Sequence, residues 1–544
     1  MAFSFSTRLA DLQKAENTVW DIVVIGGGIT GAGILLDAQS RGLNAVLVEK
    51  EDFAWGTSSR STKLIHGGLR YLKQMDIQLV REVGKERAIV HKNARNLVCP
   101  ERMLLPIYSD GNLGWGMTSL GLKVYDWLAG VPKDEQRKML SAEKTLLREP
   151  LLKKDNLKGS GLYYEYRTDD ARLTISVIKT ACQKGAIALN HAEVKDFTYN
   201  EKGLINGIKL TDHIHSTHHT LRSKIVINAA GPWVDDVRSF QKNTTNRHLF
   251  LTKGIHIVVD REKIPLKQSA YFDAVDQRMM FAIPRGNIVY IGTTDTPYND
   301  NINHPYPTHD DLDYILQSTH RMFPDYPIEK KDIQSTWSGL RPLIQQKRKD
   351  PSELSRRDEI FESEDGLLSI AGGKLTGYRK MAERIVNRAQ RVIGKRLACQ
   401  TQHLVLYGQG FDSITDVQHL VNNVNAIIKG PSYLGERLVH LYGHFTIDII
   451  ERAQAKTPNE NDISHSALLQ AELEYTIEHE RVCSLSDFII QRSGMLYFDR
   501  AWIVQHQELL KNTMAAHTQG IPSHFNNAQE THLKKAFQSV IAFR

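Results

Sequence analysis

The feature that most constrains this chain is the stretch from Asp21 to Glu49, which reads DIVVIGGGITGAGILLDAQSRGLNAVLVE. An apolar run rich in β-branched residues ends in glycines, a helix-like segment follows, and a second apolar run ends at an acid. This order predicts a strand, a tight turn, a helix and a second strand parallel to the first. Such a unit is the start of an α/β fold with a parallel sheet.

The glycines of this stretch indicate what the turn binds. Gly26, Gly28 and Gly31 occupy the three glycine positions of G-x-G-x-x-G. The first permits a tight turn, the second lets the backbone approach a pyrophosphate, and the third lets the helix pack on the sheet. The N-terminus of the following helix favours an anion, because its N–H groups are unpaired and its dipole is positive there.

The acid at the end of the second strand narrows the ligand. Glu49 lies about 20 residues past the glycines, where a carboxylate can bond the ribose hydroxyls of an adenine dinucleotide. An acid here argues against NADP, whose 2′-phosphate requires an arginine. The pattern therefore predicts dinucleotide binding, and leaves NAD and FAD open.

The size and composition of the chain set further bounds. Its 544 residues exceed what one hydrophobic core usually supports, so two or three domains are expected. A net charge of +7 fits an anionic substrate or an anionic membrane surface, and no nucleic-acid partner is expected. The four cysteines form no C-x-x-C pair, so neither a metal site nor a disulfide framework is predicted. The N-terminal residues lack the apolar core of a secretory signal, which predicts a cytoplasmic protein.

Two stretches follow the dinucleotide motif. The loop from Asp52 to Leu72 is dense in hydroxyl residues, and we predict that Ser58 and Ser59 contact phosphate oxygens of the cofactor. The stretch from Leu104 to Gly130 is apolar and aromatic. One interpretation is a buried helix of a substrate domain. The other is an element at a membrane interface, with Trp115 and Trp127 at the level of the lipid headgroups and Lys123 reaching water.

The middle of the chain predicts further elements of the parallel sheet and then a second, antiparallel sheet. An amphipathic helix is predicted from Asp170 to Lys184, and a strand from Lys224 to Trp233 whose end, at Gly231, passes near the cofactor. Residues 247–345 alternate β-rich pieces with turns, which predicts an antiparallel sheet. A histidine-rich patch is interpreted as an exposed hairpin: His213, His215, His218 and His219.

The stretch from Leu367 to Lys380 discriminates between the cofactors. It predicts a strand, a turn at Gly372 and Gly373, and a helix, with Leu375 and Thr376 also at the cofactor. An NAD dehydrogenase does not need this second helix N-terminus, whereas a flavin protein needs a second dipole near its isoalloxazine ring. This favours FAD.

The predicted fold is α/β, with a Rossmann-like FAD-binding domain, an antiparallel-sheet substrate domain and a mainly helical C-terminal domain. The FAD-binding domain spans residues 18–395 and is interleaved with substrate segments at roughly 98–162 and 240–350, and the C-terminal domain spans 396–544.

Five motifs, in order along the chain, carry a resemblance to a known family. They are KLIHGGLRYL from Lys63, NAAGPWVDD from Asn228, IGTTDTPY from Ile291, SGLRPL from Ser338 and AGGKLTGYRK from Ala371. Together they resemble the FAD-dependent glycerol-3-phosphate dehydrogenases over residues 18–395, and more loosely beyond. The resemblance implies oxidation of sn-glycerol 3-phosphate to dihydroxyacetone phosphate, with electrons passed from FAD to membrane quinone.

The residue chemistry is consistent with that substrate. A phosphomonoester carries about −1.5 to −2 charge at pH 7, so its site needs more than one cation. Arginine suits this role because its planar fork pairs two oxygens and stays charged. At positions that match the family, we predict that Arg70, Arg341 and Arg357 bind the phosphate and that Tyr71 adds a hydroxyl donor.

Hydride transfer from C2 of the alcohol also needs a base for the hydroxyl proton, and a pKa near neutral points to histidine. His66 and His256 are the candidates, and we favour His66 because it adjoins glycines and Arg70. Lys374 is expected to place positive charge near the flavin N1–C2 carbonyl or the substrate oxygen.

Two further points concern partners. The protein should associate peripherally with the inner face of the cell membrane, because quinone is lipid-soluble and no membrane span is predicted. A homodimer is left open. The competing interpretations are an oxidase that passes electrons to oxygen and produces hydrogen peroxide, and a flavin-binding membrane scaffold without turnover.

Overall fold

The computed structural model describes residues 3–67, 77–112, 114–133, 135–242, 248–344, 358–428, 430–457 and 462–542. Most of the strands lie in the first two thirds of the chain, and helices dominate the rest. The helices are α1 (Arg8–Glu16), α2 (Ile29–Ser40), α3 (Ile77–Asn93), α4 (Trp115–Ala129), α5 (Ala142–Arg148), α6 (Asp170–Gln183), α7 (Val234–Arg238), α8 (His309–Met322), α9 (Tyr378–Val392), α10 (Ile414–Ile428), α11 (Ser432–Tyr442), α12 (Thr446–Lys456), α13 (His465–Glu480), α14 (Met495–Phe498), α15 (Arg500–Gln505), α16 (Gln507–His517) and α17 (Ser523–Ser539).

The strands form two sheets. They are β1 (Val19–Ile25), β2 (Ala45–Val48), β3 (Leu64–Ile65), β4 (Cys99–Tyr108), β5 (Lys138–Ser141), β6 (Leu157–Arg167), β7 (Ile187–Leu189), β8 (Ala192–Tyr199), β9 (Ile205–Asp212), β10 (Thr217–Asn228), β11 (Leu249–Asp260), β12 (Ser269–Asp273), β13 (Met279–Arg285), β14 (Ile288–Gly292), β15 (Thr296–Pro297), β16 (Ile333–Ile344), β17 (Glu359–Glu362) and β18 (Leu368–Ala371).

The first sheet has the strand order β17-β18-β10-β1-β2-β7, with β9 beside β10 and β8 beside β9. Strands β18, β10, β1, β2 and β7 run parallel. The apolar run of β1 is buried on both faces, as is typical of a parallel sheet covered by helices. Helices α2, α6 and α9 contribute to its core. The predicted Rossmann-like α/β unit is confirmed.

The register of this sheet brings distant parts of the chain together. Ile25 pairs with Val48 and with Asn228, so β1, β2 and β10 end at the same edge. Asn228 also pairs with Ser369 of β18. In open α/β sheets ligands bind at this carboxyl edge. The dinucleotide glycines, Glu49 and the late Gly-Gly turn all follow directly after these strand ends.

The second sheet has the order β15-β11-β14-β13-β12-β4-β6-β3, with β16 beside β11 and β5 beside β6. Its pairs are antiparallel except for β12 with β4. This confirms the antiparallel sheet predicted within residues 247–345. The helix α8 in that range was not predicted, and it buries one face, including Leu312 and Ile315, in the core of this sheet.

Helix α4 has one buried face and one exposed apolar face. Its inner face is buried at Leu122 and Tyr125. Its outer face is apolar and open, because the side chains of Trp127 and Met117 are 79% and 67% exposed and that of Leu120 is 57% exposed. The predicted hairpin is also present, since β9 and β10 pair from Asp212 and Thr217 on either side of the histidine-rich turn.

The C-terminal region from α10 onward is helical, as predicted. It packs on the rest of the chain through buried polar contacts. Arg172 on α6 forms a buried ion pair with Glu480 of α13, and Asn96 donates to the backbone oxygen of Val439. None of the helices in the described part of the chain has the length and apolar run needed to cross a bilayer.

Candidate active site

A first cavity opens at the carboxyl edge of the parallel sheet and is lined by the predicted dinucleotide loop. Gly26 has φ +109°, and a Cβ there would lie 2.7 Å from Ala229 O. A Cβ on Gly31 would lie 1.9 Å from Gly26 O, so the helix can approach the turn this closely only with glycine. Gly28 precedes the first turn of α2 and lines the cavity. The tight turn and the close packing of α2 on it therefore require glycine at Gly26 and Gly31.

Of the three polar residues predicted for this cavity, two line it and one does not. Glu49 lines it and accepts hydrogen bonds from Gly27 N at 2.6 Å and Glu51 N at 3.0 Å. Ser58 also lines it and accepts from Ile29 N at 2.9 Å, which leaves its hydroxyl proton for a ligand. The Ser59 side chain is buried and donates to backbone oxygens of its own loop.

The late Gly-Gly turn closes the far side of the first cavity. Gly372 and Gly373 have φ of +81° and +82°, a conformation that side chains rarely adopt. The turn leads into a 3₁₀ turn over Leu375–Gly377 and then into α9. Gly231, with φ +55°, lines the cavity from the end of β10. The N-terminus of α2 and the 3₁₀ turn that leads into α9 thus lie at one cavity, which suits the dianionic pyrophosphate of a dinucleotide.

The lining also offers a hydrogen-bond donor to a ligand. The side chain of Trp55 is buried and lines the first cavity. Among the described residues, none accepts a hydrogen bond from its Nε1. A buried indole N–H normally has an acceptor. A bound dinucleotide would supply one, so the residues present fit FAD.

A second cavity adjoins the first and lies against the antiparallel sheet. Gly373, Lys374 and Leu375 line both cavities, so they form the boundary between them. Thr376 lines the second cavity, and its hydroxyl is already committed to the backbone of His66. Lys374 is half-buried at this boundary.

Arg341 projects into the second cavity from β16. Its guanidinium donates at 3.1 Å to Thr294 O, to Asp295 Oδ1 and to Thr293 Oγ1. These bonds fix the plane of the guanidinium, and its side chain stays 23% exposed. A held, partly exposed arginine in a cavity is suited to bind an anion.

Both predicted histidines line the second cavity. His66 is half-buried, and its ring lies edge-on to Phe281 with centroids 6.2 Å apart. Its backbone is clamped by Thr376, which accepts from His66 N and donates to His66 O, both at 3.0 Å.

His256 is more enclosed. Its ring stacks on Trp337 with centroids 4.7 Å apart, and its Nε2 lies 3.0 Å from Thr62 Oγ1. Burial, and then the charges of Arg341 and Lys63, hold the pKa of His256 well below its ordinary value. The imidazole of His256 is therefore neutral and weakly basic, whereas a general base needs a pKa near the working pH.

Three of the predicted phosphate-binding residues, Arg70, Tyr71 and Arg357, lie outside the described residues. The second cavity also has polar lining that was not predicted. Arg60, Thr62 and Arg278 line it, as do Glu165 and Asp295. Asp295 belongs to the motif IGTTDTPY, whose pattern alone indicates no role for the acid. No local sequence signal marks Glu165, which enters the cavity through the pairing of β6 with β3 and β4.

One cluster outside the lining of these cavities has metal-ligand chemistry. His191, Cys483 and Asp487 place potential ligand atoms within 4.8 Å of one another. Asp487 Oδ2 accepts from Cys483 N and Ser484 N at 2.9 Å each, and His191 Nε2 lies 3.2 Å from the same oxygen. These bonds account for the cluster as a cap on the turn that follows α13.

The first cavity, with the dinucleotide loop and the late Gly-Gly turn, is joined to a second cavity whose described lining includes two histidines, three arginines and a lysine. Together they define a flavin-dependent oxidoreductase that acts on an anionic substrate. Comparison with known proteins agrees. The family described as FAD dependent oxidoreductase matches residues 21–379, and the family described as C-terminal domain of alpha-glycerophosphate oxidase matches residues 399–519.

Individual relatives are close. An aerobic glycerol-3-phosphate dehydrogenase of Staphylococcus aureus (strain USA300) is 46% identical over 524 residues, covering 95% of this chain and 94% of the relative. The crystal structure of a glycerol-3-phosphate dehydrogenase from Bacillus halodurans complexed with FAD superposes with a TM-score of 0.84 at 38% identity, covering 99% of each chain. An L-alpha-glycerophosphate oxidase from Mycoplasma pneumoniae shares the fold, with a TM-score of 0.55 at 17% identity over 70% of this chain and 97% of the oxidase.

The chain belongs to the family of the FAD-dependent, aerobic glycerol-3-phosphate dehydrogenases. The resemblance found in the sequence motifs is thereby confirmed, and so is the choice of FAD over NAD.

Proposed function

We propose that this protein oxidises sn-glycerol 3-phosphate to dihydroxyacetone phosphate with FAD as hydride acceptor and passes the electrons to membrane quinone. The observation that carries the proposal is the junction of the two cavities at Lys374, with the dinucleotide loop on one side and Arg341 and His66 on the other. The similarity of the chain to glycerol-3-phosphate dehydrogenases supports sn-glycerol 3-phosphate as the substrate.

Arg341 would hold the substrate phosphate. Its fork faces the second cavity while Asp295 and the Thr294 carbonyl fix its plane. A phosphate dianion needs further cations, and Arg278, Arg60 and Lys374 line the same cavity. The predicted contributions of Arg70 and Arg357 would complete the site.

With the phosphate held, oxidation removes a proton from the C2 hydroxyl and a hydride from C2, which leaves a carbonyl. FAD, when bound, supplies the hydride acceptor. His66 would take the proton, because it faces the cavity and lacks the enclosure that makes His256 a poor base. Lys374, at the boundary of the cavities, would stabilise negative charge that develops on the substrate oxygen or the reduced flavin.

The test of this function is a steady-state assay of the FAD-loaded protein with a water-soluble quinone analogue under argon. We expect dihydroxyacetone phosphate and reduced quinone in equal amounts, and no turnover of glycerol, which lacks the phosphate. The oxidase alternative has one observation in its favour, the C-terminal match to the glycerophosphate oxidase domain. The same assay in air would favour the oxidase if oxygen were consumed and hydrogen peroxide formed as fast as the quinone analogue is reduced under argon.

The membrane part of the proposal rests on α4. Met117, Leu120 and Trp127 form an apolar outer face, and Lys123 is exposed on the same helix. Trp115, at the start of the helix, is 40% exposed, with one edge of its ring against Gly159. An amphipathic helix of this kind can lie among lipid headgroups, and a net charge of +7 favours anionic lipids. We expect the protein to sediment with anionic vesicles and a Trp115→Ser/Trp127→Ser variant to stay in solution. Equal sedimentation of both proteins would assign membrane binding to another surface.

A further inference from the structure

A buried hydrogen-bond network lies directly behind the backbone that carries His66. Its centre is Glu165 on β6, which is 2% exposed. Glu165 Oε2 accepts from Gly67 N at 3.2 Å, from Tyr125 Oη at 3.0 Å and from Arg87 Nη1 at 3.1 Å. Three donors thus satisfy a carboxylate that has been removed from water, as a buried charge requires.

The other members of the network are equally committed. Tyr125, buried on α4, accepts from Gly67 N at 3.1 Å and from Arg87 Nη1 at 3.0 Å. Arg87, buried on α3, also donates to Tyr164 O at 2.8 Å. Burying such an ion pair costs several kcal/mol in desolvation, so its contribution to stability alone is a weak reason for its presence.

What the network does hold is the amide of Gly67. A Cβ at this position would lie 2.1 Å from Tyr125 Oη, so the hydroxyl fills the space beside the backbone. On the other side, the preceding residue His66 is clamped by Thr376. Two consecutive peptide units are therefore fixed by groups from α4, β6 and the late Gly-Gly turn. Their joint effect is to fix the direction in which the His66 side chain leaves the backbone.

We propose that Glu165, Tyr125 and Arg87 are positioning residues of the dehydrogenase, which hold the Gly67 amide and so aim the imidazole of His66 at the substrate. The proposal rests on the proposed role of His66 as base. It predicts a loss of rate through geometry, because misplacing a catalytic group by about 1 Å can cost about 100-fold.

The variant that tests it is Tyr125→Phe, which keeps the ring and removes the hydroxyl that touches both Gly67 and Glu165. The matched control is Tyr164→Phe, on the same strand as Glu165, whose hydroxyl accepts from Arg102 Nε at 2.7 Å near the surface. In anaerobic stopped-flow we expect the limiting rate of flavin reduction, per bound flavin, to fall about 10- to 100-fold in Tyr125→Phe and to stay unchanged in the control. A merely structural role would lower the flavin content or melting temperature and leave the rate per flavin unchanged.

A double-mutant cycle separates the positioning role from the assignment of His66 as base, on which it rests. In a His66→Ala background, Tyr125→Phe should cost little further, because it acts through His66. If Tyr125→Phe lowered the rate of flavin reduction by the same factor in the His66→Ala background as in the wild type, the positioning role would be overturned. A wild-type rate in His66→Ala alone would instead overturn the assignment of His66 as base.

The Glu165→Gln variant provides a second route if Tyr125→Phe does not retain FAD. Its amide oxygen can still accept from the Gly67 amide, but the charge that holds Arg87 and Tyr125 is lost. We expect a reduced rate per flavin with the same apparent pKa in the pH profile of flavin reduction. A shift or loss of that pKa would make Glu165 itself the base and would contradict the positioning role.

Discussion

Replacing Arg341 by alanine tests the phosphate site most sharply. The guanidinium is held by three hydrogen bonds of 3.1 Å, to Thr293, Thr294 and Asp295. Removing one partner of a buried charge pair costs about 2–5 kcal/mol. Since the Arg341 side chain is 23% exposed, the lower half of that range applies. A loss of about 2–3 kcal/mol corresponds to a rise in the KM for sn-glycerol 3-phosphate of about 30- to 150-fold.

Two controls sharpen this measurement. Flavin content should be unchanged, because Arg341 projects into the second cavity while the dinucleotide loop lines the first. Arg278→Ala is the variant for comparison: Arg278 lines the same cavity, but it pairs more closely with its aspartate, at 2.6 Å to Asp276, and should raise the KM less than Arg341→Ala does. Steady-state kinetics on both variants decide the case. A change of less than about threefold in Arg341→Ala, beside a large rise in Arg278→Ala, would refute the reasoning and move the phosphate to Arg278.

Three further predictions follow from the same structure. His66→Ala should slow flavin reduction by about 10²- to 10⁴-fold in stopped-flow, whereas His256→Ala should mainly lower the melting temperature; the reverse result would make His256 the base. Gly31→Ala should yield protein without FAD, measured by absorbance, because its Cβ would lie 1.9 Å from a backbone oxygen of the dinucleotide turn. Burial raises the pKa of Glu480, but the charges of Arg172, Lys179 and Arg492 and the hydrogen bond from Arg172 together outweigh this and lower the pKa to about 2. Because the folded-state pKa is depressed, the stabilisation is present above the unfolded value and is lost as pH falls towards 2, so acid unfolding followed by circular dichroism should be less steep over this range in Glu480→Gln.

Much of the cofactor site could be predicted because its determinants are local. Gly26, Gly28 and Gly31 act within one turn, and Glu49 follows at a fixed distance along the next strand. The meeting of this loop with Gly372 and Gly373 required only the rule that parallel strands end at one edge.

The substrate site was less predictable because its contacts are long-range. Arg341 is held by residues nearly fifty positions earlier in the chain. Gly67 contacts Tyr125, 58 positions later, and Glu165, 98 positions later. The sequence of α4 left open whether its aromatic residues are buried or exposed. Only the packing of the helix in the structure shows that Tyr125 is buried and that Trp127 faces outward.

The central claim is that the cavity beside the flavin oxidises a phosphorylated alcohol. An anaerobic titration of the FAD-loaded protein tests it directly. About one equivalent of sn-glycerol 3-phosphate per flavin should bleach the visible absorption of the oxidised flavin, with dihydroxyacetone phosphate formed in equal amount, because one hydride reduces one flavin. Glycerol should leave the spectrum unchanged. A flavin that stays oxidised with excess sn-glycerol 3-phosphate, or that glycerol bleaches equally well, would contradict the account.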